Sequence, residues 1–433
     1  MFAIPKTMRA VVYRGVNDLR LETVPVPRLG PNELLVKVAV CGVCPTDIKK
    51  IQHGTVPPPR IFGHETAGTI VQIGAGNPSL VTRHSSLKVG DRVALHHHVP
   101  CLDCHYCRHH AFAQCETYKR TGITAGFEPA GGGYAEYVCV MPFVLPGVVK
   151  IPAKNSFEEG AMLEPVNTVL KAVRRLNLLR GDVVLVAGQG PIGLMFTRLL
   201  QLAGARVLAT DLLESRLKLA KKFGARWTIN VSRSRGDEAL TEKLEVRNPK
   251  PGMNKRLVTS SPTIPNLDAA IIAVSSDAAV HQALALVRGG GQVLLFAHTK
   301  RADGRWQMAD GRGESQTPRS RERERVAKGR VRVKGKTLFD AGEVAIPPNS
   351  QLPSPISPID LASICLDEKD LIGSYSSDFT LQSEVARLVF SRRLDVRRLI
   401  THRFPLEQTA EAVALAAKPT SDSLKILVQA SNG

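Results

Sequence analysis

Two features that would direct a chain to a membrane or out of the cell are missing from this sequence. No run of about eighteen uncharged apolar residues occurs, the length that a membrane-spanning helix needs. The N-terminal stretch MFAIPKTMRAVVYRG lacks the basic head, the long apolar run and the small-residue cleavage site of a signal peptide. We therefore expect a cytoplasmic protein, in which reducing conditions disfavour disulfides and favour metal-binding or catalytic roles for clustered cysteines.

The length and the composition indicate an ordinary globular protein. The chain has 433 residues, and 43% of them are hydrophobic. Such a chain can bury a sizeable core, and its length predicts two or three domains rather than one.

Half of the eight cysteines lie within residues 99–116, VPCLDCHYCRHHAFAQCE. Their spacing, C-x2-C-x2-C-x7-C, allows one short segment to place four thiolates around a tetrahedral ion at about 2.3 Å from each sulfur, as in a closed structural zinc site. An iron–sulfur cluster of the ferredoxin type would need a shorter last interval. The histidines of this segment are interpreted as solvated. The predicted zinc ligands are Cys101, Cys104, Cys107 and Cys115.

A second group of metal-binding residues is spread over three short segments. CGVCPTD (41–47) and GHE (63–65) follow apolar strands such as ELLVKVAV, and MLEPV supplies Glu164 from further along the chain. One sulfur, one imidazole and a carboxylate oxygen leave a coordination position for water or substrate, as a catalytic zinc requires. The sequence therefore predicts a second, catalytic zinc site.

Residues 183–195, VVLVAGQGPIGLM, are typical of a buried strand, a glycine turn and the start of a helix. Gly188, Gly190 and Gly193 have the spacing G-x-G-x-x-G, which lets the backbone approach a pyrophosphate at the positive end of the helix. The next strand, RVLAT, ends in Asp211. A carboxylate there can bind the ribose hydroxyls of NAD and repel the 2′-phosphate of NADP, although it could instead cap the following helix. Later segments continue to alternate between strand and helix, so we expect a doubly wound parallel sheet.

Together these segments resemble the zinc-dependent medium-chain dehydrogenases/reductases, in the branch that contains polyol (sorbitol), threonine and alcohol dehydrogenases. The motifs GHETAGTIVQIGAG, VGDRV, GQGPIG and LITHRFPLEQTAEAVALA carry the resemblance. It implies an α/β protein with a GroES-like, β-rich catalytic domain and a Rossmann nucleotide-binding domain. The implied bounds are 1–155 for the catalytic domain, 156–375 for the nucleotide domain and 376–433 for the return to the catalytic domain.

The resemblance also implies roles for individual residues. Cys44, His64 and Glu65 match zinc ligands, Glu164 matches a glutamate that binds zinc directly or lies beside it, and Thr46 matches the hydroxyl that accepts the substrate proton. Which glutamate binds zinc in the resting state stays open. Relatives often carry a relay histidine where this chain has Lys49, which leaves either Lys49 or His53 to complete the proton path. The implied cofactor-binding residues are Gly188, Gly190, Pro191, Ile192, Gly193, Asp211 and Arg216.

The implied activity is the transfer of a hydride from a secondary alcohol or polyol to NAD, giving a ketone or aldehyde, with two zinc ions per chain. NADP is the less favoured cofactor, L-threonine is an alternative substrate, and a homodimer or homotetramer is expected. A catalytically inactive NAD-binding protein is an alternative of another class.

A basic segment at about 300–355 lies outside these motifs. Residues 300–336 hold thirteen Lys or Arg against five Asp or Glu, and a proline-rich stretch follows. Its composition predicts a disordered or loosely ordered insertion. Nucleic-acid binding is the alternative that this charge suggests. Residues 300–336 hold a single aromatic residue, Trp306, to stack on bases, so a nucleic-acid partner is not expected.

Overall fold

The computed structural model describes residues 4–76, 87–96, 99–117, 131–232, 266–297 and 361–430. Residues 233–262 and the segment at about 300–355, for which the sequence predicts a disordered or loosely ordered insertion, lie outside these residues. The strands of the described part are β1 Thr7–Gly15, β2 Asp18–Pro25, β3 Leu34–Gly42, β4 Arg60–Ile61, β5 Glu65–Ile73, β6 Arg92–Leu95, β7 Tyr137–Val140, β8 Val149–Lys150, β9 Val183–Ala187, β10 Arg206–Asp211, β11 Trp227–Asn230, β12 Leu267–Ile272, β13 Val287–Leu295, β14 Asp370–Gly373, β15 Ile400–Pro405 and β16 Lys425–Gln429.

The α-helices of the described part are α1 Pro45–His53, α2 His105–Arg108, α3 Phe157–Ala161, α4 Leu163–Val173, α5 Pro191–Leu202, α6 Glu214–Lys222, α7 Asp277–Leu286, α8 Leu361–Leu366, α9 Gln382–Phe390 and α10 Thr409–Ala417. Short 3₁₀ helices are formed by Phe112–Gln114, Pro142–Gly147, Phe379–Leu381, Val396–Leu399 and Leu406–Gln408.

Six strands form a parallel sheet in the order β11-β10-β9-β12-β13-β14. All five residues of β9 are buried. Val184 and Val186 of β9 pack into one apolar cluster with helix α5, whereas Val183 and Leu185 pack into another with helix α7. The sheet is therefore covered on both faces, which is why its central strand β9 is continuously apolar. The predicted doubly wound fold is confirmed, with the strand order of a dinucleotide-binding sheet.

The remaining strands form two further sheets. One has the order β2-β1-β4, and the other has the order β15-β16-β3-β5-β6-β8, with β7 pairing to β3. Strand β16, near the end of the chain, pairs with β3 through Leu427 opposite Gly42 and Val428 opposite Cys41. After the parallel sheet the chain thus returns to the sheet that contains β3. The domain bounds at 155 and 375 stay a prediction. Among the described residues no helix is both long and apolar enough to span a membrane.

A capping box begins helix α3, which directly precedes helix α4. The Ser156 hydroxyl accepts from the Glu159 N–H at 3.1 Å, and a Glu159 carboxylate oxygen accepts from the Ser156 N–H at 2.8 Å. We expect Ser156→Ala to lower the free energy of unfolding by about 1 kcal/mol, because a helix-terminal N–H loses its partner. Denaturant unfolding checks this value. Ser391→Ala, at an exposed serine, is the control and should change stability by less than about 0.5 kcal/mol; equal effects of the two substitutions would contradict the capping role.

Candidate active site

Cys44, His64 and Glu65 meet where strand β3 ends and strand β5 begins. The register of these antiparallel strands places Gly42 opposite Glu65, and Cys44 follows two residues later at the start of helix α1. One ligand atom from each of the three residues lies within 4.8 Å of the other two. A Cβ atom at Gly42 would lie 1.8 Å from Glu65 Oε2. Any side chain at residue 42 would therefore collide with the carboxylate, and glycine leaves the space that the carboxylate occupies.

His64 is held in one orientation by buried polar groups. Its Nδ1 lies 3.1 Å from Asp47 Oδ1, and both side chains are almost completely buried. The Tyr134 hydroxyl lies 3.5 Å from Asp47 Oδ2, and burial raises the pKa of Tyr134 well above its ordinary value, so the hydroxyl keeps its proton. Burial opposes charge on His64, but Asp47 and the Cys44 sulfur raise the pKa of His64 well above its ordinary value. With Nδ1 paired to a carboxylate, Nε2 is the nitrogen left for a metal.

Glu65 is paired with Lys425, the first residue of strand β16. Both side chains are buried, and Lys425 Nζ contacts Glu65 Oε2 and also donates to the Val43 carbonyl at 3.0 Å. Burial raises the pKa of Glu65, while Lys425 opposes this shift. A neighbouring negative charge on Glu164 adds to the rise. The ammonium group of Lys425 thus stabilises the ionised form of Glu65, the form that can bind a metal.

A cavity of about 440 Å³ contains this cluster in its wall. Thr46, Lys49 and Glu164 also line the cavity. Glu164 shares this wall but is not among the residues whose ligand atoms lie within 4.8 Å of one another in the described part of the chain. Lys49 is half-buried, and burial lowers its pKa. His53, at the end of α1, is exposed. Lys49, which lines the cavity beside the cluster, is therefore better placed than His53 to serve in the proton path.

The glycine loop predicted to bind the dinucleotide borders the same cavity. Gly188 has φ +91°, a conformation that glycine adopts readily, and a Cβ atom at Gly193 would lie 1.8 Å from the Gly188 carbonyl oxygen. At Gly190 a Cβ atom would have no neighbour within 4 Å among the described residues. Gly190, Pro191 and Ile192 line the cavity where helix α5 begins. The loop is therefore tight internally and open on the side from which a phosphate group would approach.

Asp211 lies at the end of strand β10, as the sequence predicts, and its carboxylate contacts the glycine loop. Oδ2 accepts from the Gln189 N–H at 2.6 Å, and Oδ1 accepts from the Leu213 N–H at 2.9 Å. Arg216 Nη1 lies 4.0 Å from Oδ2, and Arg216 also lines the cavity. Asp211 thus stabilises the loop and the turn into α6, and each carboxylate oxygen still has a second lone pair for a ribose hydroxyl.

The four clustered cysteines form a separate group. Their sulfurs all lie within 4.8 Å of one another. Cys104 Sγ is 3.5 Å from Cys107 Sγ, and Cys101 Sγ is 3.9 Å from Cys107 Sγ. A tetrahedral zinc bound at about 2.3 Å would separate its sulfurs by about 3.8 Å, whereas a disulfide needs about 2.05 Å. The thiols are therefore unbridged and spaced for one metal ion. The nearby His105, His109 and His110 are exposed.

Three buried residues of the site were missed by sequence reasoning. Asp47 stands in the segment CPTD, three residues after the candidate ligand Cys44, and this position was a signal that sequence reasoning could have used. Tyr134 and Lys425 gave none, because each reaches the site from a strand or loop far along the chain.

Comparison with known proteins gives two family matches. The alcohol dehydrogenase GroES-like domain matches residues 30–153, and the zinc-binding dehydrogenase family matches residues 191–304. The chain is 29% identical over 429 residues to a sorbitol dehydrogenase of Bombyx mori, covering 98% of this chain and 99% of that protein. It is 32% identical over 289 residues to a probable D-xylulose reductase A of Emericella nidulans, covering 65% of this chain and 72% of that protein.

A likeness in three dimensions extends over almost the whole chain. An alcohol dehydrogenase of Escherichia coli CFT073, whose crystal structure holds NADH, superposes with a TM-score of 0.70 at 22% identity, covering 98% of this chain and 100% of that one. At this identity the superposition establishes the shared fold. The matching domains, the relatives and the fold together show that the chain belongs to the zinc-dependent medium-chain dehydrogenase/reductase family.

Proposed function

We propose that this protein is a zinc-dependent dehydrogenase that oxidises a secondary alcohol or polyol with NAD. The observation that carries the proposal is that one cavity is lined both by Cys44, His64 and Glu65 and by the glycine loop that starts helix α5. A metal site beside a dinucleotide site is the arrangement that alcohol oxidation needs. The names of the relatives, sorbitol dehydrogenase and D-xylulose reductase, support a polyol over L-threonine as the substrate.

The donor atoms of the cluster suit zinc. A thiolate, an imidazole and a carboxylate are all zinc ligands, and three protein ligands leave one position open. Zinc at such a site supplies Lewis acidity, which lowers the pKa of an alcohol toward neutrality. Cys44 and His64 would hold the ion, with Asp47 orienting the imidazole. Glu65 or Glu164 completes the set, and the contact of Glu65 with the cluster favours Glu65.

The remaining residues of the cavity handle the proton and the cofactor. The Thr46 hydroxyl accepts the proton of the substrate hydroxyl as it donates its own proton toward the neutral amine of Lys49, a form that burial favours by lowering the pKa of Lys49, and the proton then leaves Lys49 for solvent. The N–H groups at the start of α5 bind the pyrophosphate of NAD, and Asp211 accepts hydrogen bonds from the adenosine ribose.

The four-cysteine group holds a second, structural zinc ion in this proposal. The domain boundaries lie at about residues 155 and 375. The protein acts in the cytoplasm, and it assembles as a homodimer or homotetramer. The substrate is a small alcohol rather than a macromolecule.

Cys44→Ser should lower the zinc content from two ions to one per chain and reduce kcat/KM by about a thousandfold or more, because the ligand set of the reacting centre is broken. Metal analysis and alcohol-dependent NADH formation measure the two effects. The matched control is Cys365→Ser, at an exposed cysteine outside both groups. A Cys44→Ser protein that keeps both zinc ions and full activity would refute the assignment.

Cys104→Ser should lower the melting temperature by about 5 °C or more, because metal binding by the four thiolates is coupled to folding of the segment. Differential scanning calorimetry together with metal analysis checks this outcome. If the protein retains its melting temperature and loses only turnover, the ion of the four-cysteine group is not structural.

Asp211→Ser should shift the ratio of kcat/KM for NAD over NADP by at least about tenfold toward NADP, because a charged acceptor for the ribose and a source of repulsion for the 2′-phosphate are both removed. Steady-state kinetics with both cofactors measure the ratio. Glu214→Gln removes an exposed charge three residues away and serves as the control for a general charge effect. A parent enzyme that already prefers NADP would overturn this interpretation of Asp211.

A further inference from the structure

Helix α2 lies among the four clustered cysteines and presents two imidazole groups on its outer side. Cys104 directly precedes the helix, and Cys107 is buried within it. His105, at the start of the helix, and His109, directly after its end, are exposed. One turn of the chain thus places sulfur atoms toward the four-cysteine group and two imidazoles toward solvent. Neither histidine lines the cavity of the candidate active site, so the proposed chemistry does not use them.

The two histidines have the spacing of metal ligands on a helix. They are four positions apart, and the His109 N–H donates to the His105 carbonyl at 3.3 Å, which closes one helical turn. Their ring centroids are 4.6 Å apart, with an angle of 60° between the ring planes. Two histidines at this spacing on one helical face bind zinc in metalloproteases. Two imidazoles that share a tetrahedral zinc at about 2.0 Å from each nitrogen have centroids about 5 Å apart, so small rotations of the rings would bring both nitrogens to one ion.

The backbone beneath the pair is held by the four-cysteine group. The Arg108 N–H donates to the Cys104 carbonyl at 3.1 Å, and the His110 N–H donates to the Cys107 carbonyl at 3.0 Å. The Cys104 N–H in turn donates to Cys101 Sγ at 3.3 Å. Because these contacts fix the turn, binding of an ion would order little more than the two imidazole side chains.

The charges around the pair favour a further cation. Four thiolates around one zinc ion carry two net negative charges, which attract positive charge at the surface of the group. The other basic residue of helix α2, Arg108, is paired with the exposed Asp103, with 3.0 Å between Nη2 and Oδ1. The charge of Arg108 is therefore partly offset, and the imidazoles lie beside a group that is negative when it holds its zinc.

The next histidine shows the contrast. His110 is also exposed, but its backbone has φ +55° and its ring packs edge-on against Phe112, with 5.7 Å between the ring centroids. The chain has left the helix at this residue, so His110 does not share the helical face of His105 and His109. The same short segment thus contains a histidine of similar exposure outside the pair.

We propose that His105 and His109 form a third metal site of the chain, on the surface of the four-cysteine group, for zinc or another borderline divalent ion such as Ni²⁺ or Cu²⁺. Imidazole nitrogen is a ligand that these ions prefer, whereas Mg²⁺ prefers oxygen. Two nitrogens leave the remaining positions of the ion to water, so the ion exchanges with solvent, in contrast to an ion enclosed by four thiolates. The site lies outside the proposed alcohol oxidation and does not depend on it.

Nickel binding to the zinc-loaded protein tests the site. Protein without a histidine tag is dialysed to constant zinc content and titrated with Ni²⁺ in competition with a chromophoric chelator. We expect the parent to bind one Ni²⁺ per chain that His105→Ala and His109→Ala each bind at least about tenfold more weakly, since losing a ligand costs at least as much as losing the group that orients it. Cu²⁺ should bind more tightly than Ni²⁺, and Mg²⁺ should not displace it.

His110→Gly is the matched control, because it removes a neighbouring exposed imidazole and glycine suits φ +55°. It should keep the parent's affinity for Ni²⁺. The inference is overturned if the parent and both alanine variants bind Ni²⁺ equally, or if His110→Gly loses as much affinity as they do. Competition by Mg²⁺ equal to that by Cu²⁺ would also overturn it, since attraction by charge alone would then explain the binding.

Metal analysis before the titration separates this site from the four-cysteine group. Alanine favours a helix, so both alanine variants should keep the parent's zinc content and melting temperature. If they lose a zinc ion, the histidines belong to the ion of the four-cysteine group and the third site is overturned. No alcohol enters the measurement, so failure of the proposed oxidation would leave the Ni²⁺ result unchanged, and failure of Ni²⁺ binding would leave the proposed oxidation unchanged.

Discussion

The buried ion pair between Lys425 and Glu65 is the interaction on which the candidate active site depends. Glu65 shares its cavity with a second carboxylate, Glu164, whose negative charge adds to the effect of burial in raising the pKa of Glu65. Lys425 supplies the opposing positive charge from strand β16, whose pairing with β3 brings it beside the cluster. Removing one partner of such a pair leaves an uncompensated buried charge. This lowers the free energy of unfolding by about 3–5 kcal/mol.

A shared apolar core holds the metal cluster and the glycine loop at a constant separation. Val40 of β3 and Ala67 of β5 belong to the same buried cluster as Val184 of β9 and Leu194 of α5. Close-packed protein interiors have low compressibility, because each side chain fills the space that its neighbours leave. Such a core therefore resists displacement of one site relative to the other. The chemistry between a metal-held alcohol and a dinucleotide requires such positional accuracy, since small displacements of reacting atoms are costly.

The sequence predicted what depends on local pattern and missed what depends on distant contacts. The glycine loop, the strand that ends in Asp211 and the four-cysteine segment were recognisable, because each is defined by spacing within a short stretch. The sheet followed from alternating apolar segments. Lys425 and Tyr134 were not recognisable, because a lysine in a strand and a tyrosine in a loop acquire their roles only from the register of strands far apart in the chain. The contacts of Asp211 with the glycine loop likewise emerge only when β9 and β10 pair.

The separation of these contacts along the chain has a consequence for how the protein is made. Lys425 and Val43, which join the two ends of the chain at the cluster, are 382 positions apart, whereas Cys101 and Cys115 of the lobe are 14 apart. During synthesis the four cysteines leave the ribosome together and can fold around an ion early, because closing a short loop is fast. Glu65 can pair with Lys425 only after nearly the whole chain has been translated. The two candidate metal sites of one polypeptide thus become complete at different times: a nascent chain that stalls late already contains all four clustered cysteines, whereas Glu65 still lacks Lys425.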